Sequence, residues 1–143
     1  MNSKSTKRAE PGRDEMGAMG FTELSTTDSE ATRSFLEKAF QWRFEEIQMP
    51  TGKYLSYRGP NGNTLGIRMA QQSESPSSMN YVRVDDLKKA EARIRDLGGK
   101  IILPRTEIPG MGSFFWFKIP SGPMMACWED EPQPTKKDRT RER

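Results

Sequence analysis

Histidine is absent from the 143 residues, and that removes more chemistry than any motif adds. Without an imidazole there is no Ser–His or Cys–His nucleophile pair, no histidine general base and no His-ligated zinc, iron or nickel. A single cysteine, Cys127, excludes an internal disulfide and fits a reducing cytoplasm. It stands in the apolar run Met124-Met125-Ala126-Cys127-Trp128 and reads as a small core side chain. Gly98-Gly99 ends a helix rather than opening one, so it lacks the geometry that binds phosphate. Ile108-Pro109-Gly110-Met111-Gly112 reads as an ordinary connection rather than a lid. Carboxylates and guanidinium groups are left to do polar work. Two of them, Glu23 and Arg68, stand in strand-like segments.

The elements that must position them follow from periodicity. Gly20–Ser25 is a predicted strand, and Thr26-Thr27-Asp28 offers cap side chains, with Thr27 and Glu30 at capping-box spacing. The predicted helix behind it places Ala31, Phe35, Leu36, Ala39 and Phe40 on one buried face. Three strands follow, Arg43–Met49, Lys53–Arg58 and Thr64–Met69, separated by Pro- and Gly-containing turns. After a polar linker, Ala70–Ser78, the order repeats. Met79–Val84 is a strand, and Asp85-Asp86 caps a helix bearing Leu87, Ala90, Ile94 and Leu97, which Gly98-Gly99 closes. Ile101–Leu103, Ser113–Lys118 and Met124–Trp128 are the last strands, with Pro104–Gly112 as a loop.

The two runs superpose. Phe21 stands seven residues before the capping Asp28, and Met79 seven before Asp86. Gly66 lies four residues after Gly62, and Ala126 four after Gly122. A repeat of this period implies two similar βαβββ modules. The expected fold is α+β: residues 17–72 and 78–129 as tandem modules of one domain (16–129), forming a cupped, eight-stranded mixed sheet with helices on its outer face. Residues 1–15 and 130–143 are too polar to offset their chain entropy and are expected to be disordered tails. The net charge of +3 comes from interspersed signs, so nucleic acid is not an expected partner, and the basic run Lys136–Arg143 reads as a solubilising tail. No stretch is long and apolar enough to span a membrane.

This layout, carried by FTELSTTDSEATRSFLEKAFQW, NYVRVDDLKKAEARIRDLGGKI and IPGMGSFFWFKIPSGPMM, resembles the vicinal oxygen chelate superfamily. That superfamily includes glyoxalase I, the bleomycin-resistance proteins and the extradiol dioxygenases. Within it the chain looks like the lactoylglutathione-lyase-related subgroup. The resemblance implies a metal held in the cup by the first and last strands of each module, usually through His or Glu. The matching positions here are Phe21, Gly66, Met79 and Ala126, none of which suits a hard or borderline divalent ion. No metal or cofactor is therefore expected.

If those four positions face the cup, strand alternation brings Glu23, Thr64, Arg68, Tyr81, Met124 and Trp128 to the same side, with Trp116 closing one wall. The expected lining is Phe21, Glu23, Thr64, Arg68, Met79, Tyr81, Trp116, Met124 and Trp128, mostly apolar with a few polar groups, as small-molecule sites usually are. Glu23 and Arg68 either orient a polar ligand or neutralise each other as an ion pair. The first functional expectation is a metal-independent, cytoplasmic binder of a small organic molecule, acting by sequestration and paired as a homodimer. The alternative is a glyoxalase-related lyase or isomerase using Glu23 as base and Arg68 as anion stabiliser. A third reading is a structural or regulatory protein whose cup is filled by its own side chains.

Overall fold

A computed structural model describes residues 17–50 and 52–132. The predicted tails lie almost wholly outside these residues. Ten elements run in the order β1 (Ala18–Thr26), α1 (Ser29–Phe40), β2 (Glu45–Met49), β3 (Gly52–Arg58), β4 (Thr64–Met69), β5 (Ser77–Arg83), α2 (Leu87–Asp96), β6 (Lys100–Ile108), β7 (Gly112–Lys118) and β8 (Met124–Asp130). The strands form one mixed sheet in the order β2-β3-β4-β1-β5-β8-β7-β6. The order is symmetric about its middle. In each half the first strand pairs in parallel with the last, β1 with β4 and β5 with β8, and hairpins continue outward. The antiparallel β1–β5 ladder joins the halves, pairing Phe21 with Tyr81 and Glu23 with Met79.

Each face follows from strand alternation. On the helix side, Val84, Leu87, Ala90, Phe115, Phe117 and Cys127 form the core beneath α2. Phe44, Leu55 and Ile67 form its counterpart in the first module, with Leu24 and Leu36 packed against it. On the concave side Met79, Tyr81, Ala126 and Trp128 cluster with Phe21, Phe114 and Trp116. The run Phe114–Phe117 is thus shared between the faces, Phe114 and Trp116 inward, Phe115 and Phe117 outward.

Three local expectations are corrected. The cap of α1 is Asp28, whose carboxylate accepts from the Ala31 amide at 2.9 Å, rather than a Thr27–Glu30 box. The predicted apolar face of α1 is not a buried one: α1 has no buried residue, and Phe35 and Phe40 are 70% and 57% exposed. Leu36 alone of the five packs against the first-module core, so the stripe faces the sheet only along its edge. Finally, β6 runs on through Pro104 to Ile108, where a loop is expected. As the outermost strand it tolerates a proline that has no N–H to donate, with register shifts on either side of Leu103.

Candidate functional site

Glu23 sits at the floor of the cup, on the central strand β1, and is 9% exposed. Three donors from three strands converge on its carboxylate. The Tyr81 hydroxyl donates to Oε1 at 2.9 Å, Arg68 Nε donates to the same oxygen at 2.9 Å, and the Tyr54 hydroxyl donates to Oε2 at 2.9 Å. A carboxylate taken out of water needs such partners, because an unpaired one is strongly disfavoured. Tyr81 in turn accepts from Trp116 Nε1 at 3.1 Å. Glu23 and Tyr81 are equivalent residues of the two modules, so this bond crosses the pseudo-twofold axis.

Arg68 faces two carboxylates. Its outer nitrogens, Nη1 and Nη2, reach Glu74 Oε1 and Oε2 at 2.8 and 2.7 Å, a two-point fork. Its guanidinium carbon lies 5.2 Å from the centre of the Trp116 ring, within reach of a cation–π contact. Burial alone would favour loss of the Arg68 proton, but the hydrogen bonds to Glu74 and Glu23 outweigh it and hold the guanidinium more firmly charged. Glu74 is held below the usual carboxylate range, first by Arg68, against an opposing effect of burial. Burial, then the nearby Glu23 charge, pushes both Tyr54 and Tyr81 well above the ordinary phenol range. Both are therefore neutral donors.

The expected lining divides into a bonded group, an aromatic wall and two outliers. Glu23, Arg68, Tyr81 and Trp116 form one hydrogen-bonded and cation–π network. Phe21 stacks on Tyr81 with centroids 4.4 Å apart and meets Trp128 edge-on, while Met79 is buried among them. Thr64 and Met124 stand at the first residues of β4 and β8, beside the turns, and Met124 is 37% exposed. Glu23 and Arg68 form the ion pair that their positions suggest.

Sequence reading misses Tyr54 and Glu74. Tyr54 is two residues from Ser56, which pairs with Gly66, so its ring is on the cup face and leans over the space Gly66 leaves open. The glycine inside a strand was the available signal, since it marks a place where another group approaches closely. Glu74 comes from the polar linker, and nothing local marks it.

A divalent metal does not fit these residues. Of the four positions that the resemblance assigns to ligands, Phe21 is a ring in a stack, Met79 and Ala126 are packed in the concave cluster, and Gly66 has no side chain. A Cβ on Gly66 would lie 1.7 Å from the Tyr54 hydroxyl, so the phenol fills that quarter of the site. Glu23 lies at the centre of these positions, and both its oxygens already accept hydrogen bonds from the protein's own donors. Among the described residues no three His, Cys, Asp or Glu side chains converge.

Comparison with known proteins agrees on the fold. No protein-family model matches the chain. It is 24% identical over 119 residues to a protein named Putative glyoxylase CFP32 in both Mycobacterium bovis and Mycobacterium tuberculosis, covering 79% of this chain. The chain spans about half the length of these relatives, 46%. Among solved structures, a hypothetical protein of Bacillus halodurans matches with a TM-score of 0.66 at 8% identity, over 84% of this chain and 99% of that one. Methylmalonyl-CoA epimerase of Mycobacterium tuberculosis matches with a TM-score of 0.62 at 11% identity, over 80% and 88%. A glyoxalase/bleomycin resistance protein/dioxygenase superfamily member of Vibrio splendidus matches at 0.56 and 14% identity, over 80% and 99%. The chain has the vicinal oxygen chelate fold, as the sequence resemblance implies. Among the described residues no helix is long and apolar enough to cross a membrane.

Proposed function

We propose that this protein binds a small organic molecule in its cup without a metal, and is not a metal-dependent lyase. One observation carries the reading: the Glu23 carboxylate, on the floor of the cup, is held by three donors, Tyr54, Tyr81 and Arg68, with the Tyr54 hydroxyl over Gly66. A general base must reach the proton it abstracts. Oε1 of Glu23 already accepts two hydrogen bonds, which leaves a substrate proton only Oε2, beside the Tyr54 hydroxyl that already binds it. The same network suits binding, because it presents a rigid, preorganised surface flanked by Phe21, Phe114 and Trp116, each only partly covered. The lyase or isomerase alternative, which uses Glu23 with Arg68, is disfavoured on the same ground. The glyoxylase name of the longer relatives keeps that alternative worth testing.

The ligand-facing residues in this reading are Phe21, Glu23, Arg68, Tyr81, Trp116 and Trp128, with Thr64 and Met124 at the rim. Open sheet edges at β2 and β6 favour a homodimer, and the single, buried Cys127 thiol suits a reducing cytoplasm. Thermal-shift screening of metabolites and antibiotics tests the proposal. A saturable hit that disappears in Trp116→Ala and in Arg68→Ala supports it. Turnover of a lactoylglutathione-type substrate that is abolished in Glu23→Gln would replace it with the enzymatic alternative.

A further inference from the structure

We propose that the outer edge of the Arg68 guanidinium is the seat for a carboxylate of the ligand, and that Glu74 holds this seat until the ligand displaces it. The inference rests on the cup being a ligand site, as proposed above. Arg68 treats its two partners differently. Nε is bound at 2.9 Å to Glu23, which belongs to the central strand and is boxed in by two phenols. Nη1 and Nη2 are bound to Glu74, which belongs to the connection between β4 and β5.

Around Glu74, residues Gln71, Gln72, Ser73, Ser75 and Pro76 are exposed and lie outside helix and strand. A turn bond from the Glu74 amide to the Gln71 carbonyl, 2.9 Å, and a return bond from the Gln71 amide to Glu74 Oε1, 2.9 Å, hold the segment locally. Ser73 has φ 74°, a left-handed conformation that costs a residue with a Cβ. The inner carboxylate is therefore fixed by the sheet, and the outer one is held by a short connection in an unfavourable backbone conformation.

Exchange keeps the electrostatics intact. A ligand carboxylate would meet the same two-point fork that Glu74 meets, so the half-buried guanidinium would keep two anionic partners throughout. Trp116 lies against the guanidinium and offers a flat face beside the seat, which favours an aromatic or other planar acid. A cationic ligand gains less, because every oxygen of the two carboxylates already accepts a hydrogen bond from the protein.

Titration of the full chain with benzoate, benzylammonium and benzyl alcohol, followed by NMR, tests the proposal with one ring and three head groups. In Glu74→Ala the internal competitor is gone, so the benzoate Kd should fall at least about tenfold relative to wild type, with the other two probes unchanged. Glu74→Gln, closer in size, should show the same direction and serves if the alanine variant folds poorly. Adding Arg68→Ala should abolish the gain. Equal benzoate affinity in wild type and both Glu74 variants overturns the proposal, as does a gain that survives loss of Arg68 or a larger gain for benzylammonium. If benzyl alcohol binds wild type while benzoate gains nothing, the carboxylate seat falls and the cup stands as a ligand site. If no probe binds any variant, both fall.

Discussion

The Tyr54 hydroxyl occupies the volume that a side chain on Gly66 would need, 1.7 Å from where its Cβ would lie. The same hydroxyl donates to Glu23 Oε2. One phenol on β3 thus closes a gap in β4 and satisfies a carboxylate on β1, tying three strands of the first module at the floor of the cup.

Gly66→Ala should therefore destabilise the protein by about 1–3 kcal/mol, the usual range for forcing extra atoms into a packed site. Shortening Tyr54 to alanine in the same chain should recover part of the loss relative to the sum of the single changes. Urea unfolding of the four species measures it. Strict additivity would mean that the two residues do not share this space.

Tyr81→Phe should cost more than Tyr54→Phe. Each removes one donor from Glu23, an effect of about 1–3 kcal/mol at a buried polar group. Tyr81 also accepts from Trp116 Nε1, so its loss leaves a second group unpaired. Chemical denaturation at neutral pH ranks the variants, and a costlier Tyr54→Phe would show that the Trp116 bond adds nothing.

Acid stability should depend on Glu74. Its folded pKa lies below the ordinary value near 4.5, mainly through Arg68. Its contribution is therefore fully present above about pH 4.5 and is lost as pH falls through the depressed folded value, where the folded state must also take up the proton. The stability gap between wild type and Glu74→Gln should narrow over that acid window and stay flat from pH 5 to 8. A gap that widens on acidification contradicts the assignment.

At alkaline pH the direction reverses. Tyr54 and Tyr81 keep their protons well past the ordinary phenol value of 10.0, chiefly because they are buried. The folded state then binds more protons than the unfolded one, so stability declines as pH rises above about 10. Tyrosinate absorbance should show these two groups ionising only with unfolding. Reversible ionisation of all three tyrosines in folded protein would place the two phenols in solvent.

Much of this was legible in the sequence. The repeat that pairs Phe21 with Met79 and Gly66 with Ala126 appears in the sheet as two equivalent halves around the β1–β5 ladder. Alternation correctly brought Glu23, Arg68 and Tyr81 to one face, since side-chain direction in a strand depends on parity alone. What stayed hidden depends on distance in space. Tyr54 reaches Glu23 from 31 positions away, and Glu74 reaches Arg68 from a linker that lacks periodicity. The exposed face of α1 was misread because periodicity marks a stripe without saying how squarely the sheet meets it. Pro104 suggested a loop because edge placement, which permits it, is a property of the sheet order.

The central claim is that the protein's own side chains take the place of a metal in the cup. Its most direct test is the metal content of purified full-length protein after incubation with zinc, nickel, manganese or ferrous iron and removal of free ion. The account predicts far less than one equivalent of each, unchanged in Glu23→Gln. One tightly held equivalent that disappears in Glu23→Gln would contradict it.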